Sequence, residues 1–370
     1  MGDKVSIDGS FGEGGGQILR TALSLAALTG RELELFNIRA GRARPGLQPQ
    51  HLMAVQAAAE ICGAEVAGAK LASRQTDFRP GRVRPGSYHF DIGTAGSTSL
   101  VLHTICLPLA LAAGGRSTVT ITGGTHAPMA PCFHYLGFQW RHFMERIGLR
   151  IDLHLESAGY YPRGGGRVTA DIQGSGNATA EYQPTATAGA AWQQPVFARR
   201  VRPLDLAVRG GLIEIQGVSS VTGLPMSIAE RQKHQAEYRL KSIKCPVKIE
   251  MVDVPGVGQG TMLLLLARCE NGQACYCGLG ARGKRAEAVA DEAADALLAF
   301  LHGGGAIDEH MADQIVLPLA VAAGESVIAT PRITQHLLTN IEVIKHFLPV
   351  EFVVEGELNA EGKVIVRPGR

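Results

Sequence analysis

The longest apolar stretches of this 370-residue chain are too short or too interrupted to span a bilayer, and the N-terminus, MGDKVSIDGS, lacks a basic segment with an apolar one behind it. Neither membrane insertion nor export is expected, which leaves the cytoplasm as the predicted compartment. Neither sign of charge is in surplus. Thirty-six Lys plus Arg against 34 Asp plus Glu give a net +2, so a polyanionic partner would have to be met by a local cluster rather than by the whole surface. Seven cysteines, an odd number in a long chain, do not resemble a disulfide framework, and Cys275 and Cys277 lack a second Cys or His pair at zinc-ligand spacing. Also missing are the Gly-Lys-Ser/Thr ending of a P-loop, the spacing of a dinucleotide fingerprint, an HExxH motif and a Ser-His-Asp signature. The zincin and hydrolase readings therefore have no support.

What the chain has is apolar residues, at 45%, enough for a real core in one large domain or two ordinary ones. It also has internal self-similarity. QILRTALSLAALTGRELELFNI (17–38), STSLVLHTICLPLALAAGGRSTVTIT (97–122) and ADQIVLPLAVAAGESVIAT (312–330) share one pattern. Each is an Ala/Leu-rich helix, then a glycine at 30, 114 or 324 expected as the C-cap, then a short alternating strand. Each is followed by a loop, a second helix and another strand. A repeated unit of this kind predicts several small sheet-and-helix layers, with the loops after each first strand on one side.

The spacing more than doubles between the second and last copies, which predicts an insertion. Residues 174–200, rich in Ala, Thr, Gly and Gln, read as a loose linker. From 205 to 278 a regular pattern of strands, one helix and a Gly-rich loop reads as a small inserted α+β module, leaving 1–204 and 279–370 as the repeat body.

Ahead of the first repeat helix stands GSFGEGGGQILR (9–20), with five glycines around Glu13 and with Gln17 and Arg20 behind them. One reading is a tight strand-to-helix turn. The other is an anion site made of free backbone N–H groups, the helix dipole and Arg20. The glycines alone do not decide between them.

Two arginine loops echo each other, IRAGRARPG (38–46) and FRPGRVRPG (78–86). Arginines this dense on a Gly/Pro loop cannot all bury their charge, so they face solvent or an anion. The first loop is expected to be functional, because Arg39 and Arg42 follow the strand of the unit that carries Arg20, with Gln50 and His51 starting the next helix. Such a cluster suits a polyphosphate or RNA phosphates. The second reads equally well as a solvated loop. His126, in THAPMAPC (125–132), reads as a surface loop histidine, and His103 as a satisfied core histidine. Asp313 and Gln314 follow an acidic helix start and can present hydrogen-bonding groups. His336 begins a helix in TPRITQHLLTNIEV (330–343), at the repeat position that holds the arginines in the first unit.

Taken in order, DGSFGEGGGQILRTALSLA, IRAGRARPGLQPQHL, GTAGSTSLVL, GYYPRGGGRV, ADQIVLPLA and HLLTNIEVIKHFLP resemble the RNA 3′-terminal phosphate cyclases, over nearly the whole chain. The resemblance implies an α+β fold: a large domain of repeated βαβαββ units, of enolpyruvyl-transferase-like architecture, with a small inserted α+β domain. It implies that a histidine matching His336 attacks the α-phosphorus of ATP and forms a covalent histidine-AMP. AMP then passes to an RNA 3′-phosphate end, and the ribose 2′-OH displaces it to leave a 2′,3′-cyclic phosphate. Position by position, His103, Pro131, His310, Met311, Ala312, Asp313 and Gln314 would line the nucleotide pocket together with Gln17. Arg20, Arg39, Arg42, Gln50 and His51 would face phosphates, and Glu13 would serve a divalent metal, Mg or Mn, or support the site. A homodimer is allowed for. The alternative is a non-catalytic RNA-binding or ribosome-assembly relative of the same fold, against which His336 in an intact HLLTN argues. An enolpyruvyl transferase would need arginine and lysine motifs that the chain does not show.

Overall fold

The computed structural model describes residues 4–111, 114–174 and 200–369; apart from its two end residues, the linker expected at 174–200 lies outside them. The first unit runs β1 (Val5–Asp8), α1 (Gly16–Thr29), β2 (Leu33–Phe36), α2 (Pro49–Cys62), β3 (Glu65–Ala67) and β4 (Thr76–Arg79). The second runs β5 (Ser87–Asp91), α3 (Thr98–Leu111), β6 (Arg116–Gly123), α4 (Phe133–Tyr135), a π-helical turn (Leu136–Trp140), α5 (Arg141–Arg146), β7 (Ile151–Ser157) and β8 (Gly166–Gln173). The third opens with the two-residue β9 (Asp205–Leu206) and resumes only at α8. In between lie β10 (Leu212–Thr222), α6 (Ser227–Leu240), β11 (Val247–Asp253), β12 (Gly260–Cys269), β13 (Gln273–Leu279) and α7 (Ala286–His302). The third unit then closes with α8 (Glu309–Ala320), β14 (Ser326–Thr330), α9 (Gln335–Lys345), β15 (Val350–Glu355) and β16 (Gly362–Pro368).

The βαβαββ repeat is visible in the hydrogen bonding. Each unit makes a four-stranded sheet with the same connectivity, in the orders β1-β2-β4-β3, β5-β6-β8-β7 and β9-β14-β16-β15. In each, the first two strands pair parallel across the crossover helix and the remaining pairs are antiparallel. The intervening strands form a fourth sheet of a different order, β11-β10-β12-β13.

Helix ends follow local chemistry. Gly30 and Gly63 end α1 and α2 in the left-handed conformation, at φ 69° and 62°. Pro49 starts α2, where the Gln48 and His51 side chains form a reciprocal capping box. Gly324 does not cap α8 as expected; the helix stops earlier, and the Val321 N–H turns back to the Pro318 carbonyl.

One apolar cluster runs through all three units, with α1 at its centre: Ala22, Leu23, Leu25 and Ala26 are fully buried against residues of α2, α3 and α9. Burying a Leu of this kind is worth roughly 1.5–3 kcal/mol. A second cluster unites the fourth sheet with α6 and α7, through Leu263, Leu265, Ala236, Ala290, Ala294 and Leu297. Ion pairs from Arg231 to Glu287 and from Arg239 to Asp291 join the two helices. This grouping differs at both ends from the expected insert, 205–278. Asp205–Leu206 pairs with β14 and so belongs to the third unit, whereas α7 packs on β12 and β13. Among the described residues, no helix is long and apolar enough to cross a membrane.

Candidate active site

β1 ends in a turn where Asp8 accepts hydrogen bonds from the Ser10 backbone N–H and hydroxyl, at 2.9 and 2.7 Å. The glycine loop follows, and its bareness has a steric reason. A Cβ on Gly15 would lie 1.8 Å from Glu13 Oε1, and one on Gly16 would lie 2.4 Å from His51 Nε2 and 2.8 Å from Arg20 Nη1. Charged and polar side chains from three segments close directly over this backbone.

Glu13 is the hub. Its Oε2 accepts from His336 Nε2 at 2.7 Å, Oε1 lies 3.6 Å from Arg42 Nη2, and its backbone oxygen accepts from the same guanidinium at 3.0 Å. Burial opposes its charge, but His336, Arg42 and Arg20 outweigh that and hold the carboxyl below the ordinary glutamate value. In return the Glu13 hydrogen bond lifts His336 above the ordinary histidine value, with help from Asp313 and against burial. His336 starts α9 behind Thr334, whose hydroxyl caps the helix by accepting from the Leu337 N–H at 3.1 Å.

Arg20, one turn into α1, donates to Gln17 Oε1 at 2.7 Å. Burial pushes its pKa down to about 10, against the pull of Asp313 and Glu13, so it stays cationic at neutral pH. Asp313 on α8 is pushed up to about 6 by burial. Its orientation comes from α9: Asn340 Nδ2 donates to its backbone oxygen at 2.9 Å and to Oδ1 at 2.5 Å, and Asn340 Oδ1 accepts from Thr21 on α1. His51 is buried, accepts from the Gln48 N–H on Nδ1 at 3.2 Å, and is pushed down to about 3 by burial, Arg20 and Arg39, so it is neutral.

Arg20, Gln17, Asp313, Asn340 and His336 stand at one end of a cavity of about 770 Å³ that runs on toward the second unit and the fourth sheet. Glu13, Arg39, Arg42, Gln50 and His51 stand outside its lining, and of the other expected residues Gln17, Arg20, His103, Pro131, His310, Asp313, Gln314 and His336 line it. Met311 and Ala312 do not. Both are fully buried in the apolar core, because the 3.6-residue period of α8 turns positions 310, 313, 314 and 317 to the cavity and 311, 312 and 315 away.

Two other expectations also change. Arg39, at φ 53°, donates to the Arg44 and Gly46 carbonyls at 2.6 and 3.0 Å and so braces its own loop. Gln50 Oε1 accepts from the Ser97 N–H at 3.0 Å and ties α2 to the start of the second unit's helix. The second arginine loop lies away from the site, for the Arg84 N–H bonds the Ile61 carbonyl at the far end of α2. That helix has 14 residues, so the two loops stand about 20 Å apart along its axis.

The two histidines read as ordinary behave otherwise. His103 has its Nε2 buried without a partner, its ring 5.1 Å from Trp140, and is pushed down to about 3 by burial and Arg20. It is a neutral cavity-lining group rather than a satisfied core histidine. His126 is 1% exposed, stacks on Tyr160 and bonds His134 at 2.9 Å, so it is not on the surface.

Sequence reasoning missed Asp308. Its Oδ1 caps α8 by accepting from the Met311 N–H and also takes the Tyr135 hydroxyl, while Oδ2 takes Gln139 and the Cys275 N–H. This network fixes α8 against both the π-helical turn and β13. The acidic helix start was legible; the partners, contributed by segments more than 30 positions away, were not.

A family model described as RNA 3′-terminal phosphate cyclase matches residues 11–354. The chain belongs to the RNA 3′-terminal phosphate cyclase family. Proteins of that name from Pseudomonas aeruginosa and Pseudomonas fluorescens are 44% and 42% identical to it over 348 residues, covering 94% of this chain and 94% and 93% of theirs. One from Pyrobaculum neutrophilum is 41% identical over 353 residues, 95% of each chain. Among solved structures, the enolpyruvyl transferase NikO from Streptomyces tendae aligns over 99% of this chain and 81% of its own at 11% identity and a TM-score of 0.21, too low to carry an argument.

As to a metal, no group of three or more His, Cys, Asp or Glu among the described residues is arranged to hold an ion. Glu13 fits a more modest role. Magnesium commonly takes one or two carboxylates and completes its shell with substrate phosphates and water, and Glu13 is a partly buried carboxylate beside Arg42 and against His336, which lines the cavity.

Proposed function

We propose that the chain uses ATP to convert RNA 3′-phosphate ends to 2′,3′-cyclic phosphates, by way of a histidine-AMP on His336 and an RNA adenylate. The observation that carries the reading is the placement of a half-exposed histidine Nε2, 2.7 Å from a carboxylate, at the mouth of a cavity whose near wall carries Arg20. The names of the relatives support the substrate.

Attack on phosphorus needs an unprotonated Nε2 lone pair, so the Glu13 contact must open and the Nε2 proton must pass to the solvent that the half-exposed ring meets. The His336 nitrogen then bonds the α-phosphorus as the bond to pyrophosphate breaks. Arg20 and Arg42 oppose the charge that builds on the phosphoryl oxygens, and loop N–H groups next to Gly15 and Gly16 add fixed dipoles. A divalent ion supplies neutralisation of the triphosphate charge when bound, with Glu13 as the residue to hold it. In the second step an oxygen of the RNA 3′-phosphate takes the adenylyl phosphorus from His336. In the third, the 2′-oxygen of the terminal ribose bonds the 3′-phosphorus, the bond to AMP breaks so that AMP departs, and the hydroxyl proton passes to solvent. Asp313, near pH 6 in its titration and held by Asn340, offers a hydrogen-bonding group inside the cavity.

The test is an oligoribonucleotide with a 3′-phosphate alongside one whose last sugar is 2′-deoxy. The first should yield a cyclic end with ATP. The second should stop at the adenylate, because the nucleophile of the last step is missing; cyclic product from it would sink the scheme.

A further inference from the structure

The described cysteines are free, and two of them meet across 145 positions: Cys132 Sγ and Cys277 Sγ lie 3.6 Å apart. Cys132 ends the proline-stiffened THAPMAPC loop of the second unit, and Cys277 belongs to β13 of the fourth sheet. Met262, Leu264 and Val218 pack around them in one apolar cluster. Both cysteines also line the cavity, so a small solute that enters it reaches sulfur even though Cys132 is only 2% exposed. The Tyr135 backbone N–H approaches Cys132 Sγ at 3.5 Å. Cys277 above all, then the Tyr135 and His134 N–H groups, favour the Cys132 thiolate against burial.

We propose that Cys132 and Cys277 are a reversible oxidation site on the cavity wall, at which a peroxide makes a disulfide that joins the 125–132 loop to the fourth sheet. The Cys132 thiolate attacks hydrogen peroxide; an S–O bond forms, the O–O bond breaks, and one water leaves after protonation. The Cys277 sulfur then attacks the sulfenic sulfur of Cys132. An S–S bond forms, the S–O bond breaks, and the Cys277 proton goes out with the oxygen as a second water. Two thiols are oxidised by two electrons in all, and one peroxide is reduced to two waters. Bond formation brings the sulfurs to about 2.05 Å, so this wall draws in by roughly 1.5 Å. Pro131, the neighbour of Cys132, lines the same cavity and moves with it. On the reading that the cavity takes ATP, the oxidised protein binds nucleotide less well, and a thiol reductant reverses the loss.

The experiment treats the full chain with stoichiometric hydrogen peroxide, maps non-reduced peptides by mass, and measures the ATP KM for histidine adenylylation before and after. The expected result is a Cys132–Cys277 peptide lighter by two hydrogens, together with a rise in ATP KM of at least threefold, both reversed by dithiothreitol. Cys132→Ser and Cys277→Ser should lose the link and show no peroxide response relative to their own untreated rates, while Cys275→Ser should still form it. Absence of that peptide, a link through Cys275 instead, or a formed link with unchanged KM would overturn the proposal. The peptide mass is read whether or not the protein adenylylates itself, so a failure of the ATP reading shows separately, as reduced protein that takes no label.

Discussion

Arg42 and Arg84 occupy echoing loops, and the structure assigns them opposite consequences. Arg42 sits on Glu13, with its guanidinium 3.0 Å from the backbone oxygen and 3.6 Å from the carboxylate. On the reading that the same guanidinium reaches substrate phosphate, removing that charge-assisted contact costs roughly 1.5–3 kcal/mol, which is about ten- to more than a hundredfold in rate. Arg84 lies at the other end of α2, about 20 Å away on the helix rise. Two unit charges at that distance interact by about 0.2 kcal/mol in water, and a Debye length of about 8 Å at physiological salt screens away most of that. Arg84→Ala should therefore change the rate of histidine-AMP formation by less than about 1.5-fold, while Arg42→Ala should lose at least tenfold. The assay is the initial rate of labelling by α-labelled ATP at fixed salt, with thermal melts to show that both variants fold. Equal losses would refute the separation of the two loops and, with it, the placement of the site.

Two further outcomes follow from the hydrogen bonds. Glu13→Gln removes the largest influence that raises His336 while leaving burial and Arg20, which lower it; the imidazole pKa followed by NMR should fall, and an unchanged value would show that the Glu13 contact does not exist in solution. Asn340→Ala strips Asp313 and Thr21 of their shared partner and leaves buried polar atoms unpaired, at about 1–3 kcal/mol, so the chain should melt several degrees lower and bind ATP less tightly; a melt identical to that of the parent chain would contradict the network.

The repeat was readable because its signal is local. Apolar runs of helical length ending near Gly30 and followed by alternating strands recur three times, and the sheets they build share one order. The glycine loop was readable as a place needing bare backbone, although only the structure shows that Glu13, His51 and Arg20 are what it must clear. What was hidden depends on partners distant in sequence. The two residues of β9 carry no strand signal of their own, and only pairing with β14 assigns them to the third unit. The alanine-rich α7 fits a helix in either body until β12 and β13 choose its face. His103 and His126 changed character because Trp140, in a π-helical turn that no simple period predicts, and Tyr160, from the loop before β8, set their surroundings. Met311 and Ala312 share a motif with Asp313 and Gln314, yet a motif does not state which side of its helix meets the core.

The central claim is that His336 becomes covalently adenylylated, and it can be read directly from the protein. Incubated with α-labelled ATP and Mg²⁺ and run on a denaturing gel, the chain should carry label that is lost in acid and kept in alkali, as a phosphoramidate requires, whereas a serine or tyrosine ester would survive acid. His336→Asn keeps a polar side chain of similar reach without the nucleophilic nitrogen, so it should fold and take no label. Label retained on His336→Asn would contradict the account and place the nucleophile elsewhere, with His51 the next residue to replace.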